Sequence, residues 1–178
     1  MSLKKLIAFD YTYSKKISQI FDLNSKIRLF FQLATHTGTS VSWSIGLFIA
    51  YFIFPQQRLE IISIFIFMII MLIPVFIIKQ TVRRPRPEYK DLRLGSVLLD
   101  EWSFPSGHAT RATYIMLLLP IITPTLTIFW IAWGFCMIIS RLILGVHYIS
   151  DIIAGILTGS LGFFILMKLK YLPIFPFL

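Results

Sequence analysis

The chain has 178 residues, of which 57 % are hydrophobic and only 14 % charged, with a mean hydropathy of +0.80 and a formal net charge of +9. A soluble domain carries roughly 25 % charged residues, so this composition excludes an ordinary water-soluble enzyme, a disordered chain and a coiled coil, and leaves an integral membrane protein. The basic excess points to anionic headgroups or the cytoplasmic-loop bias ahead of nucleic acid, and the lone Cys136 excludes an internal disulfide and a Cys-rich metal site.

Residues 1–28 hold six Lys and Arg, and Asp10 with the lysines interrupts any apolar core of a signal peptide. From Ile17 the positions Ile17, Ile20, Phe21, Ile27, Phe31 and Ala34 follow a helical stripe, opposite Ser18, Gln19, Asp22, Ser25 and Lys26. This predicts an amphipathic helix lying at the membrane surface. Leu29 to Gln57 has no charged residue. It predicts one spanning helix that ends before Pro55, with the polar run Thr35 to Ser40 near one end or facing the bundle. Ile61 to Ile78 predicts the next span, with Pro74 as a potential kink. Gln80 to Phe104, rich in Arg, Pro and acids, reads as an extramembrane loop. Ser106 to about Pro120 predicts a short third span, Thr125 to Ser140 a fourth and Gly145 to Met167 a fifth. In the fifth, Ala154, Gly155, Gly159, Ser160 and Gly162 suit close helix packing. The expected fold is an all-α transmembrane bundle of five to six spans with an N-terminal amphipathic helix. Residues 1–28 form the interfacial segment and residues 29–178 the catalytic domain.

Counting crossings puts the junction of spans two and three on the same side as the junction of spans four and five. Three polar clusters sit at these junctions. In Ser140-Arg141 to His147 and Asp151, the i,i+4 pair shares a helix face, where a carboxylate fixes the imidazole tautomer and supports its charge during nucleophilic attack. The plainer reading makes Asp151 only a first-turn charge on the helix dipole. In Pro105-Ser106-Gly107-His108, a helix start with a hydroxyl and a glycine can form an anion site, with His108 as a candidate proton donor; taken alone, the cluster reads first as a serine cap. Lys79 and Arg86, joined by Arg141, would complement a phosphate. Arg83 and Arg84 are assigned to the membrane boundary or to headgroups.

Lys-x6-Arg-Pro, then Pro-Ser-Gly-His, then Ser-Arg-x5-His-x3-Asp resembles the three-part signature of the type 2 phosphatidic acid phosphatase (PAP2) superfamily. The match runs through Lys79, Arg86, Pro87, Pro105, Ser106, Gly107, His108, Ser140, Arg141, His147 and Asp151, and the resemblance covers about residues 60–165. Many members have six spans, so the five counted here depart from the family at the N-terminus. The resemblance implies a metal-independent lipid phosphatase that needs no cofactor. His147 would attack phosphorus to give a phosphohistidine, Asp151 would orient it, and His108 would protonate the leaving oxygen and then activate water. Lys79, Arg86, Arg141, Ser106 and the Gly107 amide would hold the phosphoryl oxygens.

Arg111, three residues after His108, could touch a second phosphate of a diphosphate substrate or reach to the interface. His36 is expected to be a satisfied polar residue inside the bundle. Asp100 and Glu101 are expected to be solvated, and Trp43, Trp102 and Tyr148 to anchor at the interface. Candidate substrates within the resembling family are undecaprenyl diphosphate, phosphatidylglycerophosphate, phosphatidic acid and the 1-phosphate of lipid A. The expected partners are the lipid substrate and the bilayer, with no nucleic acid, and the expected setting is a bacterial inner membrane. All of the 17 Lys and Arg except Arg58, Lys168 and Lys170 fall on the catalytic side. The positive-inside bias then faces the site to the cytoplasm, whereas most bacterial enzymes of the resembling family work on the outer face; a sixth span would reconcile the two. The rival readings are a lipid phosphotransferase, and a flippase or scramblase, which would need neither His147 and Asp151 in register nor His108.

Overall fold

A computed structural model describes residues 3–22, 25–87 and 101–169. These residues are all-helical, without strands. In chain order the helices are α1 (Leu3–Asp22), α2 (Ser25–Thr37), α3 (Ser40–Ile53), α4 (Arg58–Val82), α5 (Gly107–Ile122), α6 (Thr127–Ile143) and α7 (Ile149–Leu169), with 3₁₀ turns at Pro55–Gln57 and Pro124–Leu126. Three helical stretches, Pro55–Val82, Pro124–Ile143 and Ile149–Leu169, are long and apolar enough to cross a membrane. Their outward faces carry exposed Phe65, Ile128 and Phe164, which water would not tolerate in such number and acyl chains do. The chain is an integral membrane protein.

Two expectations about the N-terminal third are corrected. The apolar stripe from Ile17 to Ala34 does not lie on one helix but is divided between α1 and α2. The single span expected from Leu29 to before Pro55 is broken into α2 and α3 at Gly38 and Thr39. The polar run that looked like one end of a span supplies this break: Thr39 Oγ1 accepts the Ser42 N–H at 3.1 Å, a new helix cap, and Ser42 Oγ donates to the His36 carbonyl at 2.6 Å. α4 runs on through Pro74, and α5 through Pro120.

α5 is the axis of the bundle. It packs against α6 and α7 and touches α4, and its residues Ala109 to Ile115 are buried. Its contact with α7 is close because two glycines allow it. A Cβ on Gly155 would stand 2.6 Å from the Ser106 carbonyl oxygen, and one on Gly159 would stand 2.3 Å from that of Thr110. An apolar core of Ile64, Phe67, Met71, Tyr114, Ile115, Leu118 and Leu166 fills the space between α4, α5 and α7. α3 lies on α4, while α1 and α2 pack on α6, and α1 also reaches α7. The end of this bundle at the C-terminus of α4 and the N-termini of α5 and α7 carries the polar clusters.

Candidate active site

The turn between α6 and α7 carries His147, 1 % exposed, and the first turn of α7 carries Asp151, 0 % exposed. His147 lies just before the helix, so the two residues do not meet across a helix face as their spacing suggested. They meet because Asp151 turns back over the helix start. Its Oδ2 accepts the Tyr148 backbone N–H at 2.9 Å and lies 3.3 Å from His147 Nδ1. The partners fix the tautomer. A carboxylate only accepts, so Nδ1 carries the proton; Arg86 only donates, and its Nη1 lies 3.5 Å from Nε2, which therefore presents its lone pair. Burial pushes the His147 imidazole down to about 3, with Arg141 and Arg86 acting in the same direction and Asp151 opposing them. Burial and the two arginines favour the neutral ring.

α5 is fastened directly to this dyad. Ser106 caps it, accepting the Ala109 N–H at 3.4 Å, and the Ser106 backbone N–H donates to the Asp151 carbonyl at 3.0 Å. The first N–H groups of any helix lack partners within it, so Gly107 and His108 offer an anion-binding end. His108 is half-buried, and Arg141, Arg111, His147 and Arg86 act on it electrostatically. Arg141 is buried at the end of α6, where its Nη1 donates to Thr35 Oγ1 at 2.8 Å; Ser140 Oγ donates to the same oxygen at 3.3 Å. Lys79, buried in the last turn of α4, donates to the Trp102 carbonyl. Arg86 also donates to the Val146 carbonyl at 3.2 Å. The residues singled out by their motifs thus converge from α4, α5, α6, α7 and the Arg83–Pro87 segment on one end of the bundle.

Arg111 is buried, and its Nε donates to the Gly38 carbonyl at 3.2 Å, tying the α2–α3 break to the site. His36 is exposed, not enclosed in the bundle as expected, and Glu101 is exposed. Asp100 lies outside the described residues. Tyr148 is buried beneath a guanidinium, and the partly buried Trp43 packs against Trp130 and Trp133. The apolar groove between α3 and α4, lined by Leu47, Phe48, Tyr51, Ile61 and Phe65, shares no residue with the site.

Sequence reasoning missed Asp10, Thr35 and Arg84. Arg84, assigned to the boundary or to headgroups, instead places Nη1 2.7 Å from Asp151 Oδ1 and 2.6 Å from Ser150 Oγ, and Nη2 2.8 Å from Asp10 Oδ2. Asp10 accepts the Ser150 N–H at 3.1 Å, and Ser14 Oγ accepts that of Ile149 at 2.9 Å, so α1 caps α7. An acidic residue set mid-helix between pairs of lysines was the one available hint. Arg83 takes a left-handed conformation, φ 48°, that ends α4 and turns the chain towards the site.

A carboxylate-held imidazole thus lies among cationic side chains at a helix start. The model of the PAP2 superfamily matches residues 60–173, and the chain belongs to that superfamily. A decaprenylphosphoryl-5-phosphoribose phosphatase of Mycolicibacterium smegmatis is 39 % identical over 83 residues, 44 % of this chain and 43 % of the relative. Phosphatidylglycerophosphatase B of Bacillus subtilis is 30 % identical over 100 residues, 50 % of this chain and 47 % of the relative. The aligned stretches thus span less than half the length of these relatives. Among solved structures, the transmembrane PAP2-type phosphatidylglycerolphosphate phosphatase of Bacillus subtilis superposes with a TM-score of 0.77 at 23 % identity, covering 93 % of this chain and 86 % of that one. Aquifex aeolicus LpxE superposes at 0.66 with 20 % identity, covering 84 % and 93 %. Both share the fold.

Proposed function

We propose that this protein is a membrane lipid phosphatase that hydrolyses a lipid phosphomonoester or diphosphate through a phosphohistidine. The observation that carries the reading is the state of His147: Nδ1 held by Asp151, and the Nε2 lone pair facing Arg86. In the first step Nε2 attacks phosphorus, the bond to the leaving oxygen breaks, and His108 gives that oxygen a proton. In the second, His108 takes a proton from water, the resulting hydroxide attacks phosphorus, and the phosphorus–nitrogen bond breaks. Lys79, Arg86 and Arg141, with Ser106 and the Gly107 amide, stabilise the phosphoryl oxygens, which makes a metal unnecessary. The site at one end of an apolar bundle, and relatives that are themselves named as lipid phosphatases, support a lipid as substrate. The α2–α3 pair, α4, α5, α6 and α7 make five crossings, with α1 lying at the interface.

The test is phosphate release by the protein purified in detergent, with EDTA present. The panel comprises undecaprenyl diphosphate, phosphatidylglycerophosphate, phosphatidic acid, lipid A and phosphorylated decaprenylphosphoryl ribose. Release from one lipid far above the rest, lost in His147→Ala, is the expected result. No release from any lipid would overturn the reading.

A further inference from the structure

Asp151 is a fully buried carboxylate, and such a charge is tolerated only when its lone pairs are met. Oδ2 is occupied by His147 and the Tyr148 amide. Oδ1 is met by Arg84 at 2.7 Å. Arg84 is clamped in turn: its guanidinium lies 3.8 Å from the centre of the Tyr148 ring, and Asp10 holds its other nitrogen at 2.8 Å. With one nitrogen on Asp151 and Ser150 and the other on Asp10, Arg84 is turned away from a phosphoryl group at Nε2. Arg86, two residues on, stands at the opposite side of the imidazole.

Charge explains why two residues are needed. An arginine alone on Asp151 would fix its orientation but offset the negative charge that supports the imidazolium-like state of a phosphorylated histidine. Asp10 offsets the arginine. The row Asp10, Arg84, Asp151 keeps one net negative charge facing His147, with the carboxylate held at both oxygens. The remaining charged or titratable groups that act on His147 or face it are Arg86 beyond α4, His108 on α5 and Arg141 on α6.

We infer that Asp10 and Arg84 are positioning residues that complete the His147–Asp151 pair, so that the N-terminal helix α1 is part of the machinery that prepares the nucleophile. This rests on the reading of His147 as nucleophile.

The experiment compares wild type, Asp10→Asn, Arg84→Gln, Asp151→Asn and the two doubles with Asp151→Asn, all purified in detergent and assayed on the lipid phosphate that wild type turns over best. Asp10→Asn and Arg84→Gln each lower kcat by about 10- to 100-fold, the usual effect of losing a partner that orients a reacting group, with KM within about twofold. Neither adds much to the loss already caused by Asp151→Asn, because both act through it. A raised KM at unchanged kcat, as for a headgroup contact, overturns the inference; so does an undiminished further loss in the Asp151→Asn background. Asp10→Asn keeps the side chain's shape and carries the test if Arg84→Gln does not fold. A second readout is independent of turnover. With [15N]histidine labelling of a chain that has only three histidines, the Nδ1–H signature of His147 is distinct in wild type and perturbed in both variants. An inactive wild type that keeps this pattern sinks the phosphatase reading alone. An active wild type whose His147 signal is unmoved by either variant sinks this inference alone.

Discussion

The backbone N–H of Ser106 donates to the backbone carbonyl of Asp151 at 3.0 Å. One hydrogen bond thus joins the helix that carries His108 to the helix that carries Asp151. Neither can slide along the other without breaking it, and the spacing between His108 and His147 is set by main chain.

That junction stays close only because residue 155 has no side chain. A Cβ there would come within 2.6 Å of a backbone oxygen and 2.8 Å of the Ala109 Cβ, neither of which can rotate away. Gly155→Ala therefore pushes α5 and α7 apart. Overpacking of this kind costs about 1–3 kcal/mol, and kcat falls with it because the two histidines separate. A thermal melt in detergent and a kcat measurement check both; an unchanged melt with full activity would contradict the packing argument.

His147→Ala removes the proposed nucleophile. Phosphate release falls by at least about 10³-fold, in line with other enzymes stripped of a nucleophile, and the protein no longer becomes labelled by a substrate carrying radioactive phosphorus at the scissile group. Retained release at near-normal rate would exclude His147 as the attacking residue.

The His147 imidazole titrates far below its ordinary value because it is buried. Protonation from pH 7 to pH 5 is therefore opposed by the fold, whereas an unfolded chain with an ordinary histidine near 6.5 takes up the proton in that window. The unfolded state binds more protons there, so the His147 contribution to stability falls as pH falls from about 6.5 towards the folded value. A [15N]histidine spectrum at pH 5 shows His147 still neutral with Nδ1 protonated. A midpoint near 6.5 would show that the ring is hydrated and the dyad open.

Arg141 depends on a hydroxyl far away in sequence. Thr35→Val deletes the acceptor at 2.8 Å from a buried guanidinium, and a hydrogen bond to a charged group contributes about 1.5–3 kcal/mol. Phosphate binding weakens, and KM for the lipid phosphate rises several-fold at little change in fold. Thr35→Ser, which keeps the hydroxyl, restores it.

Turnover survives excess EDTA, since the cationic side chains supply the charge that a divalent metal supplies elsewhere. Loss of turnover that returns on adding magnesium or zinc would assign the charge to a metal instead.

The helices from Ile61 onwards and the three motifs were legible because each depends on local facts: an uncharged apolar run, or fixed spacing at a helix boundary. The α2–α3 break was not, because a polar run in a membrane segment fits a span's end as well as a cap, and only the contacts of Gly38 with Arg111 and of Thr37 with Trp133 show which. Asp10, Thr35 and Arg84 were invisible for a related reason. Their partners lie 74, 106 and 67 positions away, and spacing carries no information over such separations. His147 and Asp151 were paired for the wrong local geometry: four residues apart on a helix face and four residues apart around a helix start look the same in a sequence.

α1 wears its polarity reversed. Asp10, Ser14 and Ser18 turn inward, while Leu6, Ile7, Phe9 and Ile20 face out. The protein holds this helix by polar bonds to the start of α7 and by its packing on α6, and the lipid around it provides the greasy half of its seat. A solvent that strips lipid and wets that outer face exposes the polar bonds of α1 to competition from water, so the choice of detergent tunes how firmly the helix sits on α7.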